Sequence, residues 1–288
     1  MLEILKIVLL SIVQGITILL PVSSLGHFSL LKETLGYTDE NFNAGFYYAL
    51  FSLAAVLALY IYYAKTHKRI LSNMFKPESK ITNEKERAYK TAGRNILLSL
   101  APLIVLAIPT SKKRFVGSLW TYFLSDGSLI FVGISSIFCA ILMFISIWYL
   151  KQDAYEKTSL LKPKNAVFFG IFQIPAYIFP GLSHVAVGAS RTAVSDIDNK
   201  NVFKEAFLYI TPAYLIVNLF RVIYYAITVG GVNIIASIIG FVLSFIISIL
   251  VLGTVNRFFN SRAYIAFTVY TLVFGLLVTA ASLVQMFA

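Results

Sequence analysis

Six nearly unbroken apolar stretches constrain this chain more than any other feature: Asn43–Ala64, Asn95–Thr110, Ser128–Leu150, Phe207–Val229, Ile234–Thr254 and Tyr264–Phe287. About 20 apolar residues cross a bilayer as a helix. All but Asn95–Thr110, which is short and holds Pro102 and Pro109, reach that length. Composition agrees: of 288 residues 58% are hydrophobic and only 13% charged, against about 25% charged in a soluble domain. A soluble enzyme, a disordered chain and a disulfide scaffold are excluded. Cys139 stands alone inside an apolar run, so no disulfide or thiol–metal site is expected. The opening MLEILKIVLL lacks a basic n-region and a cleavage site, and is read as mature chain.

The net charge of +11 comes from 24 Lys and Arg against 13 Asp and Glu. Most of the basic residues lie in short loops between apolar runs, where they set orientation; membrane lipids are the expected partners and nucleic acid is not. Two further apolar runs, Ile4–Leu20 and Ala166–Phe179, are shorter and end at Pro followed by Ser, Gly and His. If both turn back, the loops hold 18 basic residues on one side and 4 on the other; if both cross, they divide 13 against 9. The positive-inside rule favours the first arrangement. The expected fold is therefore an all-α polytopic membrane protein in two halves, 1–150 and 151–288. Re-entrant helical hairpins at 4–31 and 166–200 each precede three transmembrane helices. Both termini face outward, and the Lys65–Arg94 loop is cytoplasmic and solvated, with His67 in it. The Lys112–Arg114 cluster sits outside, against the rule.

The two hairpins resemble each other. VLLSIVQGITILLPVSSLGH (Val8–His27) and VFFGIFQIPAYIFPGLSH (Val167–His184) share Val8/Val167, Ile12/Ile171, Gln14/Gln173, Pro21/Pro180 and Ser24/Ser183 at a constant offset of 159. Three spans after each hairpin is an odd number, so the second copy is inserted upside down. Inverted repeats with broken helices are a transporter-like architecture whose site lies where the halves meet. Pro followed by Ser ends one helix and caps the next. The N-terminus so created exposes unpaired N–H groups and partial positive charge, which suits phosphate. Both loops are expected to line one internal pocket, since irregular backbone survives at membrane depth only there.

All 13 acidic residues fall in loops or at segment ends, leaving no carboxylate for an intramembrane proton relay. His27 and His184 stand at the two loops. His27, beside Ser23, Ser24 and Gly26, is either an anion ligand or a helix-end His bonded to a carbonyl. Arg191 lies two helical turns beyond His184 and either shares its face or meets cytoplasmic water. Arg221 lies inside an apolar span, where snorkelling and a pocket role are both open. Gln14 and Gln173 are expected to bond each other across the repeat interface. Tyr47, Tyr48, Tyr60, Tyr62, Tyr63, Tyr224 and Tyr225 are read as an aromatic belt.

These motifs resemble the undecaprenyl-diphosphate phosphatase, or bacitracin-resistance, family over the whole chain. Its first motif is E-G-x-T-E-F-L-P-x-S-S-x-G-H and its second P-G-x-S-R-S-G. Gly15, Thr17, Leu20, Pro21, Ser23, Ser24, Gly26 and His27 match the first; Pro180, Gly181 and Ser183 match the second. The resemblance implies a plasma-membrane hydrolase that removes the terminal phosphate of undecaprenyl diphosphate, a lipid carrier in bacterial wall synthesis. It also implies a site of two Glu with a divalent cation, Ser, His and Arg. Here Gln14, Ile18 and His184 replace the expected Glu, Glu and Arg. No metal ligand is assigned, and Mg²⁺ or Ca²⁺ is expected only if phosphatase activity is retained. Ser23, Ser24, Gly26, His27, Gly181, Ser183 and His184 are the phosphate-binding candidates, with Gln14, Thr17, Gln173, Arg191 and Arg221 in reserve. His27 and Ser24 would be catalytic if the chain is active.

Three readings stay open. The chain binds or translocates a polyprenyl phosphate or diphosphate with impaired hydrolysis; it is an active phosphatase; or it is an unrelated small-solute transporter. A homodimer is also open.

Overall fold

The computed structural model describes residues 2–37, 43–111, 114–124, 129–151, 159–195, 197–198, 201–228, 232–258 and 261–287. Lys112, Lys113, the span ends Ser128 and Val229 and the end of the second hairpin at 199–200 lie outside the described residues.

Helices dominate, and six are long and apolar enough to cross a membrane: Gly45–Tyr62, Glu84–Ala107, Ile130–Leu150, Val202–Thr228, Ile234–Thr254 and Ala263–Phe287. They fall on the six runs expected from the sequence. In chain order the helices are α1 (Leu2–Thr17), α2 (Ser24–Thr34), α3 (Asn43–Tyr62), α4 (Ala64–Met74), α5 (Glu84–Leu100), α6 (Ile130–Leu150), α7 (Pro163–Ile178), α8 (His184–Ala193), α9 (Val202–Thr228), α10 (Ile234–Phe258) and α11 (Ser261–Phe287). At 1.5 Å per residue, 16-residue α1 and α7 are each about 24 Å long, short of the roughly 30 Å hydrocarbon core.

The distribution of polarity is that of a chain in lipid. Large apolar side chains such as Ile238, Leu250, Leu277 and Val284 face outward, while Ser52, Ser136, Thr211, Asn218, Ser244 and Ser248 are buried. Inside, these polar side chains join helices or back-bond to their own. Ser244 donates to the Phe51 carbonyl (2.9 Å) and Ser248 to that of Gly15 (3.0 Å), fastening α10 to α3 and α1. α9 packs on α3 and α8, α7 on α5, and α6 on α11 and α8. Small residues permit the tightest of these: a methyl on Gly275 would lie 2.9 Å from the Gly133 carbonyl oxygen across the α6–α11 seam.

Three expectations need correction. The Lys65–Arg94 segment is mostly helical. α4 follows α3 after a single residue, and α5 starts at Glu84, where Asn83 caps it by accepting from the Glu86 N–H. The second span therefore begins before Asn95. It ends earlier too, because Pro102 converts the helix to a 3₁₀ segment, Ala101–Ala107, before a short strand pair, Pro109–Ser111 with Arg114–Phe115. His67 is buried, since the apolar face of amphipathic α4 stacks its ring on Tyr60 at 4.8 Å. Burial pushes its pKa below the ordinary histidine value, so it is neutral at pH 7. Glu205 lies at a segment end as the sequence places it, in the first turn of α9, where it is 3% exposed.

Candidate functional site

Both Pro–Ser breaks form as the sequence predicts, each with a capping serine. α1 ends at Thr17 and the chain turns through Pro21 to Ser23, whose Oγ accepts from the Gly26 N–H at 3.0 Å. α7 ends at Ile178 and the chain turns through Pro180 to Ser183, whose Oγ accepts from the Ala186 N–H at 3.2 Å. The cap in the first break is thus Ser23, not Ser24, and it pairs with Ser183 one position away from the sequence register.

The breaks meet. Ser23 Oγ donates to the Pro180 carbonyl at 2.8 Å, and Ser183 Oγ donates to the Leu20 carbonyl at 3.3 Å. Each cap therefore also binds a carbonyl three residues before the opposite cap. The N-termini of α2 and α8 are brought to one place inside the protein, where Ser23, Ser24, Gly26, Gly181, Ser183 and His184 are all buried. Close approach demands Gly181: a Cβ there would run into the backbone of Val132 and Ser136 on α6.

His27 is the candidate with an open side. Its Nδ1 lies 2.6 Å from the Ser23 carbonyl oxygen, which can only accept, so Nδ1 carries the proton. Nε2 then offers its lone pair, here to the Tyr270 hydroxyl at 2.6 Å, and the ring stacks on Phe274 with centroids 4.2 Å apart. Ser24 Oγ lies 3.3 Å from Tyr48 Oη. His184 differs: its Nδ1 donates to Gln173 Oε1 (2.8 Å), Gln173 Nε2 returns a bond to the His184 carbonyl (3.1 Å), and the ring is enclosed by Tyr177 and Tyr214.

The reserve candidates separate. Gln14 and Gln173 do not bond each other: Gln14 Nε2 donates to Ser52 Oγ at 2.8 Å, because α1 packs on α3 and α7 on α8. Thr17 back-bonds to the Val13 carbonyl. Arg191 does not join the site, being held by Ser195 and Asn165 and packed on Phe168 and Phe172. Arg221 does not snorkel. It is 2% exposed, sits over the Tyr177 ring at 5.5 Å, and donates through one nitrogen to the Gly117 and Tyr177 carbonyls.

Sequence reasoning missed Tyr270 and Phe274, which reach His27 from 243 and 247 positions away along the chain; no local pattern marks them. Tyr47, Tyr48 and Tyr225 are buried, and so are not part of an interfacial belt.

A divalent cation does not fit the donor set. The family's two Glu positions hold Gln14 and Ile18, and Ile18 is buried in the apolar core. Among the described residues no three His, Cys, Asp or Glu side chains gather as a metal site requires.

A profile of the bacitracin resistance protein BacA family matches residues 7–277. The chain belongs to that family. It is also similar to curated proteins named undecaprenyl-diphosphatase. The protein of Acholeplasma laidlawii is 28% identical over 95% of each chain. That of Leptospira interrogans serovar copenhageni is 27% identical over 92% of this chain and 93% of its own. That of Prochlorococcus marinus MIT 9515 is 25% identical over 96% and 98%. The match covers both breaks, five of the six long helices and most of α11, so the departures at Gln14, Ile18 and His184 lie within a near full-length relative.

Proposed function

We propose that this chain binds a polyprenyl phosphate or diphosphate carrier between its two helix breaks, hydrolyses it poorly or not at all, and carries it across the membrane. The observation that carries this reading is the crossed pair of serine bonds. It sets two helix N-termini and their hydroxyls together in the buried interior, which suits an anionic head group. Metal-assisted phosphoryl transfer needs charge neutralisation by carboxylate-held cations or Arg and a positioned nucleophile. Gln14 and Ile18 supply neither, and His184 is occupied by Gln173.

The remaining groups have definite capacities. The Ser23 and Ser183 hydroxyls spend their protons on opposing carbonyls and act as caps, leaving free N–H groups of the first turns as donors. Ser24 and Tyr48 offer hydroxyls. Nε2 of His27 can accept a proton from the anion, or from water, once Tyr270 turns away. An apolar cavity of about 440 Å³ between the 3₁₀ segment Ala101–Ala107 and α9 suits an isoprenoid chain.

Translocation is motivated by an inverted repeat of re-entrant hairpins. Supporting it, α1 packs on α10 as α7 packs on α5, the partners α3 and α9 pair with each other, and so do α6 and α11. The halves 1–150 and 151–288 would be its two copies, with both termini outside.

The second reading is an active phosphatase using His27 and Ser24, and the names of the relatives favour it. Phosphate release from undecaprenyl diphosphate by purified protein, with and without Mg²⁺ or Ca²⁺, decides between them. Release at the background rate with retained lipid binding supports the first. Substantial release that His27→Ala abolishes establishes the second and overturns the first.

A further inference from the structure

Arg221 poses the sharpest electrostatic problem in the molecule. It is 2% exposed on α9, and an unpaired buried charge is costly. The ion pairs found among the described residues, Lys32–Glu33, Lys76–Glu86 and Lys90–Glu78, do not include it. Glu205, the buried acid of the same helix, is 16 residues away, about 24 Å along the axis. Two carbonyls satisfy one guanidinium nitrogen without neutralising the charge, and Nε has no partner.

Two more buried side chains in the same neighbourhood have polar atoms without partners: Trp120 Nε1 and Tyr225 Oη, each residue 4% exposed. Tyr225 lies one turn beyond Arg221, on the same face of α9. Trp120 is three residues after Gly117, whose carbonyl receives the Arg221 bond, and its ring packs on Tyr48 at 5.6 Å. Gly45, one turn before Tyr48, lets the Tyr225 ring close on α3: a Cβ there would be 2.9 Å from Tyr225 Cζ. Tyr48 in turn reaches Ser24 Oγ at the N-terminus of α2. All three orphaned groups can donate, Arg and Trp can only donate, and the contacts of Trp120 and Tyr225 with α3 connect them through Tyr48 to the N-terminus of α2. Asn218 Oδ1, an unpartnered acceptor one turn before Arg221, is neutral and cannot balance it.

A cluster of donors around one positive charge is complementary to an oxyanion. We infer that Arg221, with Trp120 and Tyr225, is the anion-holding group of this protein, supplying from α9 the positive charge that its second motif lacks at His184. This rests on the lipid-phosphate reading for the identity of the ligand. Val217 and Phe220, which line the apolar cavity, flank Arg221 on α9, so a chain in that cavity would bring its head group close to the guanidinium.

The test titrates farnesyl diphosphate, farnesol and inorganic pyrophosphate into the full-length detergent-solubilised protein by calorimetry. Arg221→Gln is expected to weaken both anions about 10- to 100-fold, the worth of a charge-assisted hydrogen bond, and to leave farnesol unchanged. Arg221→Lys, which keeps charge but loses the fork, falls between. Trp120→Phe and Tyr225→Phe each weaken the anions several-fold, and these three variants carry the test if Arg221→Gln does not fold. A purely structural Arg221 would lower thermal stability without separating diphosphate from alcohol. Folded variants that all bind both anions like the wild type overturn the inference and spare the lipid reading. Arg221-dependent pyrophosphate binding to which the farnesyl chain adds nothing overturns the lipid reading and sustains the inference. A wild type that binds neither anion overturns both.

Discussion

The first helix break and the second use the same capping serine and exchange the same kind of bond, yet their histidines have opposite surroundings. His27 is half-buried, with Nε2 presented to a single hydroxyl on α11. His184 is 5% exposed and closed in by Gln173, Tyr177 and Tyr214. The glutamines differ in the same sense. Gln173 spends both ends on His184, whereas Gln14 leaves Oε1 without a partner. One break is wired for rigidity and the other retains unspent polar capacity. Two breaks can thus share a backbone geometry while only one of them keeps groups free for a ligand.

Three pairs of substitutions sharpen or break this contrast. Gly181→Ala is expected to cost about 3 kcal/mol, because the new methyl meets the α6 backbone, which cannot give way. Gly26→Ala costs about 1 kcal/mol, since its methyl would lie 3.0 Å from the Ser23 Oγ and a Val132 methyl and 3.2 Å from the Pro180 carbonyl oxygen, contacts that a few tenths of an ångström relieve. Thermal unfolding in detergent compares them, and equal losses would contradict the view that the second break is the tighter. Next, Gln173→Leu strips His184 Nδ1 of its acceptor and should cost about 2 kcal/mol, the penalty for an unsatisfied buried donor. Gln14→Leu should cost under about 1 kcal/mol, as Ser52 keeps its bond to the Tyr48 carbonyl. A larger loss from Gln14→Leu would reverse the assignment. Smallest in stability is His27→Ala, expected to lower it by roughly 0.5–1 kcal/mol, since water can replace much of its two partly exposed hydrogen bonds, to the Ser23 carbonyl and the Tyr270 hydroxyl. It should nonetheless weaken polyprenyl phosphate binding about tenfold, measured by lipid titration. His184→Phe should leave the affinity within about twofold, and a larger drop would make His184 a ligand after all.

Much of the fold was legible because lipid imposes long apolar runs that sequence displays directly. Both breaks were legible for a related reason: Pro stops a helix and Ser restarts one, and both effects are local. The start of α5 is hidden in the sequence because its first turns are polar, extending the helix into a segment that charge alone assigns to loop. The burial of His67 is hidden because it depends on which face of α4 meets α3. The choice of Ser23 over Ser24 as cap turns on a one-residue difference in loop length, which alignment by residue identity does not resolve.

For the site, the residue types were visible and their partners were not. Ser23, Ser24, His27, Gly181 and Ser183 stand in two short motifs, and the missing carboxylates at Gln14 and Ile18 were equally plain. By itself the sequence determined a polytopic helical membrane protein with two capped breaks and no acid in the first. Only the tertiary structure decided that the breaks bond to each other, that Gln173 immobilises His184, and that Arg221 lies buried among donors. The physical reason is range. Propensity, capping and hydropathy act within a few residues, whereas the surroundings of a buried charge are set by helices that meet from opposite ends of the chain.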